Sequence, residues 1–379
     1  MNFDFTEDQE SLREAVRRWV DKGYDFERRR AIVKAGGFDR GVYTQLAELG
    51  LTGLYVPEAH GGMGFGPVDA MVVMEELGRG IVMEPLVQGA LVAPTALQSA
   101  PEAVQAEWMP RIASGDALVV LAHQERGARY RLNHVETSAT QAAGGWTLTG
   151  AKHIVPAGDQ ADAFIVPARV SGAVDDPAGI ALFLVERAAA GVSARGYGVQ
   201  DGSRAADVQF GNAPATLIAA PGAAFATLEA AVDAGIAALC AEAVGAMDKL
   251  LALTAEYLNT RKQFGVPIAS FQALRHRMAD CKMQLELARS MSYYASLKLN
   301  DEPAVRRRAI AQAKVQLGRS MRFLGQESVQ MHGGIGVTDE YIGAHYFKRL
   351  TCIELSFGDT LHHLGEVSQR MQDTAGVFA

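Results

Sequence analysis

From Ala223 to Thr260 the chain contains no proline. Proline breaks or kinks a helix because it lacks an N–H and its ring clashes with the preceding turn. A stretch this long without one permits a single unbroken helix, and thirty such residues would extend about 45 Å. Small residues at Gly235, Ala238, Ala241 and Gly245 would let a neighbouring helix approach closely. Glu229, Asp233, Glu242 and Asp248 interrupt the apolar run, which argues against a membrane span. Pro303 opens a second long segment, with Ile310, Leu317, Met321 and Leu324 at three-to-four spacing and a stop at Gly333-Gly334. Long helices in succession predict an antiparallel four-helix bundle.

The rest of the chain has two other textures. Near the start, Thr6-Glu7-Asp8-Gln9 forms a capping box, followed by Leu12, Val16, Trp19 and Val20 on one helical face. A glycine-rich loop at Pro57–Gly62 interrupts the helical pattern, which resumes at Ala70–Leu77. From Ala117 short apolar runs (118–122, 146–148, 163–166, 180–185, 208–210) alternate with Gly, Asp, Asn and Pro, the pattern of an antiparallel sheet. The expected class is therefore α+β, mostly α. A helical domain spans 1–116, a β domain 117–221 and a helical bundle 222–379.

Composition narrows the function. A length of 379 residues suits two or three domains, and 49% hydrophobic content suits a globular protein. The net charge is -7 and no basic run appears, so nucleic acid is not an expected partner. Cys240, Cys281 and Cys352 lack metal or redox-pair spacing, and no metal is expected. The opening Met1-Asn2-Phe3-Asp4-Phe5 is not a secretory leader, which favours the cytoplasm. No glycine-rich strand-to-helix turn of the dinucleotide type is present.

Two stretches carry a resemblance. Arg261-Lys262-Gln263-Phe264-Gly265 leads to Phe271-Gln272, and Gln330-Met331-His332-Gly333-Gly334-Ile335-Gly336 follows later. Both resemble the flavin-binding signatures of the acyl-CoA dehydrogenase family. Leu46–Leu51, Val56-Pro57-Glu58 and Gly61-Gly62 resemble that family's opening, and the order of textures matches its fold over the whole chain. The nearest likeness is to the small subunit of pimeloyl-CoA dehydrogenase and to non-catalytic-type subunits of heterotetrameric members. The resemblance implies FAD lying across a subunit boundary, an acyl-CoA substrate, and electrons leaving through an electron-transfer flavoprotein. It places Arg261, Phe264, Gln272, Gln330, Gly333 and Gly334 on the ADP side of FAD. Arginine suits bidentate phosphate contact, and glycine exposes backbone N–H groups.

The ring side departs from the family pattern. Gln124-Glu125-Arg126-Gly127-Ala128-Arg129-Tyr130-Arg131 stands for a loop of small residues, and Ile154 and Pro156 stand for the usual Trp and Thr. The two positions at which the family carries its catalytic glutamate are Phe357 and Gly235, and neither can take a proton. Asp359 is a weak substitute and a good helix N-cap. Asp233 is expected to face elsewhere, and His362-His363 to pack. His332 is expected to pack beside the cofactor and Glu340 to be structural. Arg129 and Arg131 could meet an anion or belong to a solvated loop. The expectation is an FAD-associated subunit whose homologous large partner supplies the glutamate. Two alternatives stay open: a self-sufficient homo-oligomer with a non-standard base, and a structural or acyl-CoA-binding partner without flavin.

Overall fold

The computed structural model describes residues 4–142 and 144–374. Helices α1 (Glu7–Gly23), α2 (Phe26–Ala35), α3 (Arg40–Glu48), α4 (Pro67–Gly80), α5 (Ala93–Leu97) and α6 (Glu102–Ala113) come first. Strands β1 (Val119–Leu121), β2 (Ser138–Ala142), β3 (Gly145–Pro156), β4 (Ala163–Arg169), β5 (Ile180–Glu186), β6 (Val192–Gly198) and β7 (Arg204–Ala219) follow. Then come α7 (Ala224–Thr260), a hairpin of β8 (Lys262–Gln263) and β9 (Val266–Pro267), α8 (Gln272–Leu297), α9 (Pro303–His332), α10 (Ile342–Leu355) and α11 (Thr360–Thr374). The class is α+β, with helical, β and helical segments in the expected order.

These elements form two compact units. One contains the residues up to Arg29, Pro67–Val82 and the residues from Ile236 on. The other contains Arg30–Gly66 and Met83–Gly235.

In the first unit, α1 starts at its capping box. The Thr6 hydroxyl accepts from the Gln9 N–H at 3.2 Å, and Gln9 Oε1 accepts from the Thr6 N–H at 3.1 Å. Val16 and Val20 are buried, with Leu12 and Trp19 at the margin. Where α4 meets α7, the helices touch backbone to backbone. A Cβ on Gly245 would lie 1.8 Å from the Glu75 carbonyl oxygen, and one on Gly78 would lie 2.0 Å from that of Glu242.

By composition α7 is long and apolar enough to cross a membrane, yet 78% of its most apolar window is buried inside the protein. Acids along α4 and α7 are matched by arginines from other helices. Arg349 grips Glu242 through Nε at 2.5 Å and Nη2 at 2.8 Å. Arg17 grips Glu76 at 3.0 and 2.6 Å, and Arg289 pairs with Glu75.

The second unit is built on the sheet. Pairing runs β4–β2–β3–β7–β5 and returns to β4, so the strands close a ring, with β1 added on β4 and β6 on β7. Most pairings are antiparallel, but β1 is parallel to β4. Leu148, Phe164, Val166, Phe183, Val185, Val208 and Phe210 fill its core. The apolar runs of the sequence lie in β1, β3, β4, β5 and β7. Strand β2 is largely exposed and β6 half-buried, and neither carries an apolar run, so the sequence pattern passed over them.

Candidate cofactor site

The β8–β9 hairpin follows directly from the end of α7. Its strands pair Lys262 with Pro267 and Gln263 with Val266, leaving Phe264 and Gly265 as a two-residue tip. Both tip residues have positive φ, +52° and +82°, the requirement of a type I′ turn. Glycine meets that requirement freely, whereas phenylalanine is strained there. Yet Phe264 is 92% exposed, its ring meeting that of Phe271 edge-on at 6.1 Å. Arg261 and Gln272 flank the tip, exposed and without a side-chain hydrogen-bond partner among the described residues.

The second stretch is the turn that ends α9. Gly333 takes φ +64° and ψ -141°, stopping the helix. A Cβ on Gly333 or Gly334 would meet nothing within 4 Å, so the backbone is open to an incoming group. Gln330 is exposed on the last turn of α9. His332 is buried and both its nitrogens are used. Nδ1–H donates to the Ser328 carbonyl at 2.7 Å, which leaves Nε2 to accept from the Tyr341 hydroxyl at 2.7 Å. Its ring also lies 4.5 Å from that of Tyr257 on the last turns of α7. This contact brings the glycine turn to the helix end that carries the hairpin. Burial lowers the pKa of His332, consistent with a neutral packing residue. Glu340 is exposed and makes no side-chain hydrogen bond or ion pair among the described residues, so no structural anchor is visible for it.

A third feature is the turn between α10 and α11. Phe357 has φ +55° and Gly358 φ +111°. The buried ammonium of Lys314, from the middle of α9, donates to the carbonyls of Ile353 at 2.6 Å, Glu354 at 3.1 Å and Ser356 at 2.8 Å. Three N–H protons meet three carbonyls at the negative end of a helix. Burial pushes the Lys314 pKa down to about 8, which still leaves it charged at neutral pH. His363 Nε2–H donates to the Phe357 carbonyl at 3.1 Å, and burial drives that imidazole down to about 2. Its neighbour His362 meets it edge-on at 5.1 Å, a packing arrangement. Asp359 Oδ1 accepts the His362 N–H at 2.8 Å, which is the capping geometry for α11. Asp233 and Gly235 are both buried in α7.

In the second unit, the 124–131 loop is tied down by Glu125. Its carboxylate accepts from Lys152 Nζ at 2.6 Å and from the backbone N–H groups of Glu136 at 2.6 Å and Thr137 at 3.1 Å. Burial opposes its ionisation, but Lys152 and these donors outweigh burial and hold the carboxyl below its ordinary value. Arg131 is engaged with Asp175 at 3.3 Å, while Arg129 is exposed near the Tyr130 ring. Ile154 lies in an irregularity of β3, with φ +52°, and is 53% exposed.

The donor chemistry fits the phosphate-bearing half of a dinucleotide: an unengaged guanidinium, open backbone N–H groups and two exposed amides. The ring-side positions fit less well, since Ile154 is aliphatic and Pro156 has no N–H. Lys314, His363, Tyr257, Tyr341 and His345 were not singled out by sequence as anchors. The one available signal was Lys314, a charge set within the apolar stripe of α9.

Known proteins identify the frame. Residues 6–116 match the N-terminal domain of acyl-CoA dehydrogenase, 121–213 its middle domain and 225–372 its C-terminal domain. Acyl-CoA dehydrogenase IpdE2 of Mycobacterium tuberculosis is 30% identical, over 90% of this chain and 91% of that protein. The ChsE4-ChsE5 complex from the same organism contains a chain 26% identical with a TM-score of 0.89, covering 99% of this chain and 100% of that one. A variant of the Tcur3481-Tcur3483 steroid ACAD contains a chain 28% identical with a TM-score of 0.87, covering 97% and 99%. With all three segments matched in order, this chain belongs to the acyl-CoA dehydrogenase family, whose cofactor is FAD.

Proposed function

We propose that this chain is the non-catalytic-type subunit of a hetero-oligomeric acyl-CoA dehydrogenase, of the kind of the pimeloyl-CoA dehydrogenase small subunit. Arg261, Phe264, Gln272, Gln330, Gly333 and Gly334 contribute to the ADP side of an FAD. A homologous large subunit supplies the glutamate and the acyl pocket. When bound, FAD supplies the electron acceptor for α,β-desaturation of an acyl-CoA thioester, and an electron-transfer flavoprotein takes the electrons onward. The cytoplasm is the compartment this scheme assumes. We keep 1–116, 117–221 and 222–379 as its three domains.

The observation that carries this reading is Phe264. A phenyl ring held in solvent on a strained hairpin tip has no use within its own subunit, and an unengaged arginine stands beside it. Both solved relatives carry paired names, which supports a heteromeric assembly. The side chains at Phe357 and Gly235 offer no base, and Asp359 is engaged at a helix cap.

The test is co-expression with the homologous partner. Arg261→Ala should lower the flavin content of the complex at unchanged assembly. If the chain purified alone is yellow and reduces an electron acceptor with an acyl-CoA, the division of labour is wrong. If Arg261→Ala leaves flavin content unchanged, the chain is a structural partner.

A further inference from the structure

The glycine turn is anchored at both ends by histidines, and the far anchor differs in kind from the near one. His345, on the first turn of α10, is buried. Its Nε2 lies 3.0 Å from the Asp339 carbonyl, and its Nδ1 lies 3.0 Å from an Nη1 of Arg29. A carbonyl only accepts and a guanidinium only donates. The proton of the neutral ring is therefore on Nε2, and Nδ1 must keep its lone pair. Arg29 is 1% exposed, and its Nε also donates to the carbonyl of Ile81 at 3.2 Å, a residue at φ +44°. The Phe26 ring covers His345 edge-on at 4.9 Å. A buried chain thus runs from the Ile81 turn through Arg29 and His345 to Asp339. Asp339 directly follows Thr338, whose N–H and hydroxyl both close the glycine turn onto the Ile335 carbonyl.

This anchor tolerates only a neutral ring. At the near anchor, a protonated His332 could still be met by a rotated Tyr341 hydroxyl. Arg29 has no such freedom: a proton on Nδ1 would set donor against donor and charge against charge. The charged groups around His345 are Arg29 from the start of α2, Lys348 from α10 and Asp339 from the turn itself. Lys348 is paired to Asp339 at 2.5 Å. Burial is the largest influence keeping the ring neutral, and both cations add to it.

We propose that His345 is a positioning residue for the Gly333–Thr338 turn, a latch that presents the turn to a phosphate-bearing ligand while neutral and releases it on taking a proton. That ligand assignment rests on the function proposed above, whereas the latch does not.

Hydrogen exchange of the peptide spanning the turn, in the full chain and corrected for intrinsic rates, tests the latch. In the wild type, protection should fall about tenfold per pH unit once His345 begins to titrate, below the ordinary imidazole value of about 6.5. His345→Gln can accept from Arg29 and donate to Asp339 without titrating, so its protection should fall much less steeply, keeping only the pH dependence that His332 contributes. His345→Leu should be unprotected at every pH. Equal pH profiles for the wild type and His345→Gln would overturn the latch. Bound FAD in the co-expressed complex is followed over the same range. If the turn opens and the flavin stays, the latch stands and the turn leaves the cofactor site.

Discussion

Phe264 and Lys314 show two opposite uses of a costly residue. Phe264 accepts left-handed backbone and full exposure, so Phe264→Gly should leave stability unchanged or raise it by up to about 1 kcal/mol. Urea midpoints measure that, and the flavin content of the complex should fall in the same variant. Lys314 is the reverse case. Lys314→Met takes the shared donor from three carbonyls at the end of α10, of which that of Ile353 keeps the Ser356 N–H, and a loss of about 3 kcal/mol is expected in the same assay. The two residues also mark what a sequence can tell. Phe264 stood out because it sits in a contiguous stretch of characteristic residues. The cap at Asp359 was equally legible, since its partner is three residues away. The anchoring roles of Lys314 and His345 were not, because their partners lie 39 to 42 and 316 positions distant.

Among the elements, α7 decides the most. Its small residues predicted a close neighbour without saying which helix that would be. The neighbour is α4, matched by a glycine of its own at position 78. Because a Cβ on Gly245 would strike backbone rather than a movable side chain, Gly245→Ala should cost about 3 kcal/mol, the upper end for overpacking. Thermal or urea unfolding checks this, with Ala246→Gly as a control for helix propensity. The parallel placement of β1 was beyond the sequence pattern, since a short apolar run states no direction. The long helices were legible throughout, because periodicity and punctuation repeat over many turns.

For the whole molecule, buried neutral histidines set a floor on working pH. His363 and His332 both have folded pKa values below the unfolded one. The unfolded chain therefore takes up protons first, and stability is lost as pH falls below about 6.5. Each such group costs up to about 1.4 kcal/mol per pH unit until its folded value is reached. For His363 that decline continues toward about 2. Urea midpoints at pH 7, 6 and 5 should fall steadily, and His363→Gln should flatten part of the slope.

The hairpin at the end of α7 has one more consequence. Its first strand is entered through two adjacent basic side chains, Arg261 and Lys262, both open to solvent. Trypsin should therefore nick the lone polypeptide there early, giving two fragments. Once a companion subunit covers the tip, the same bond should resist cleavage, and a brief digest then reports whether assembly has occurred.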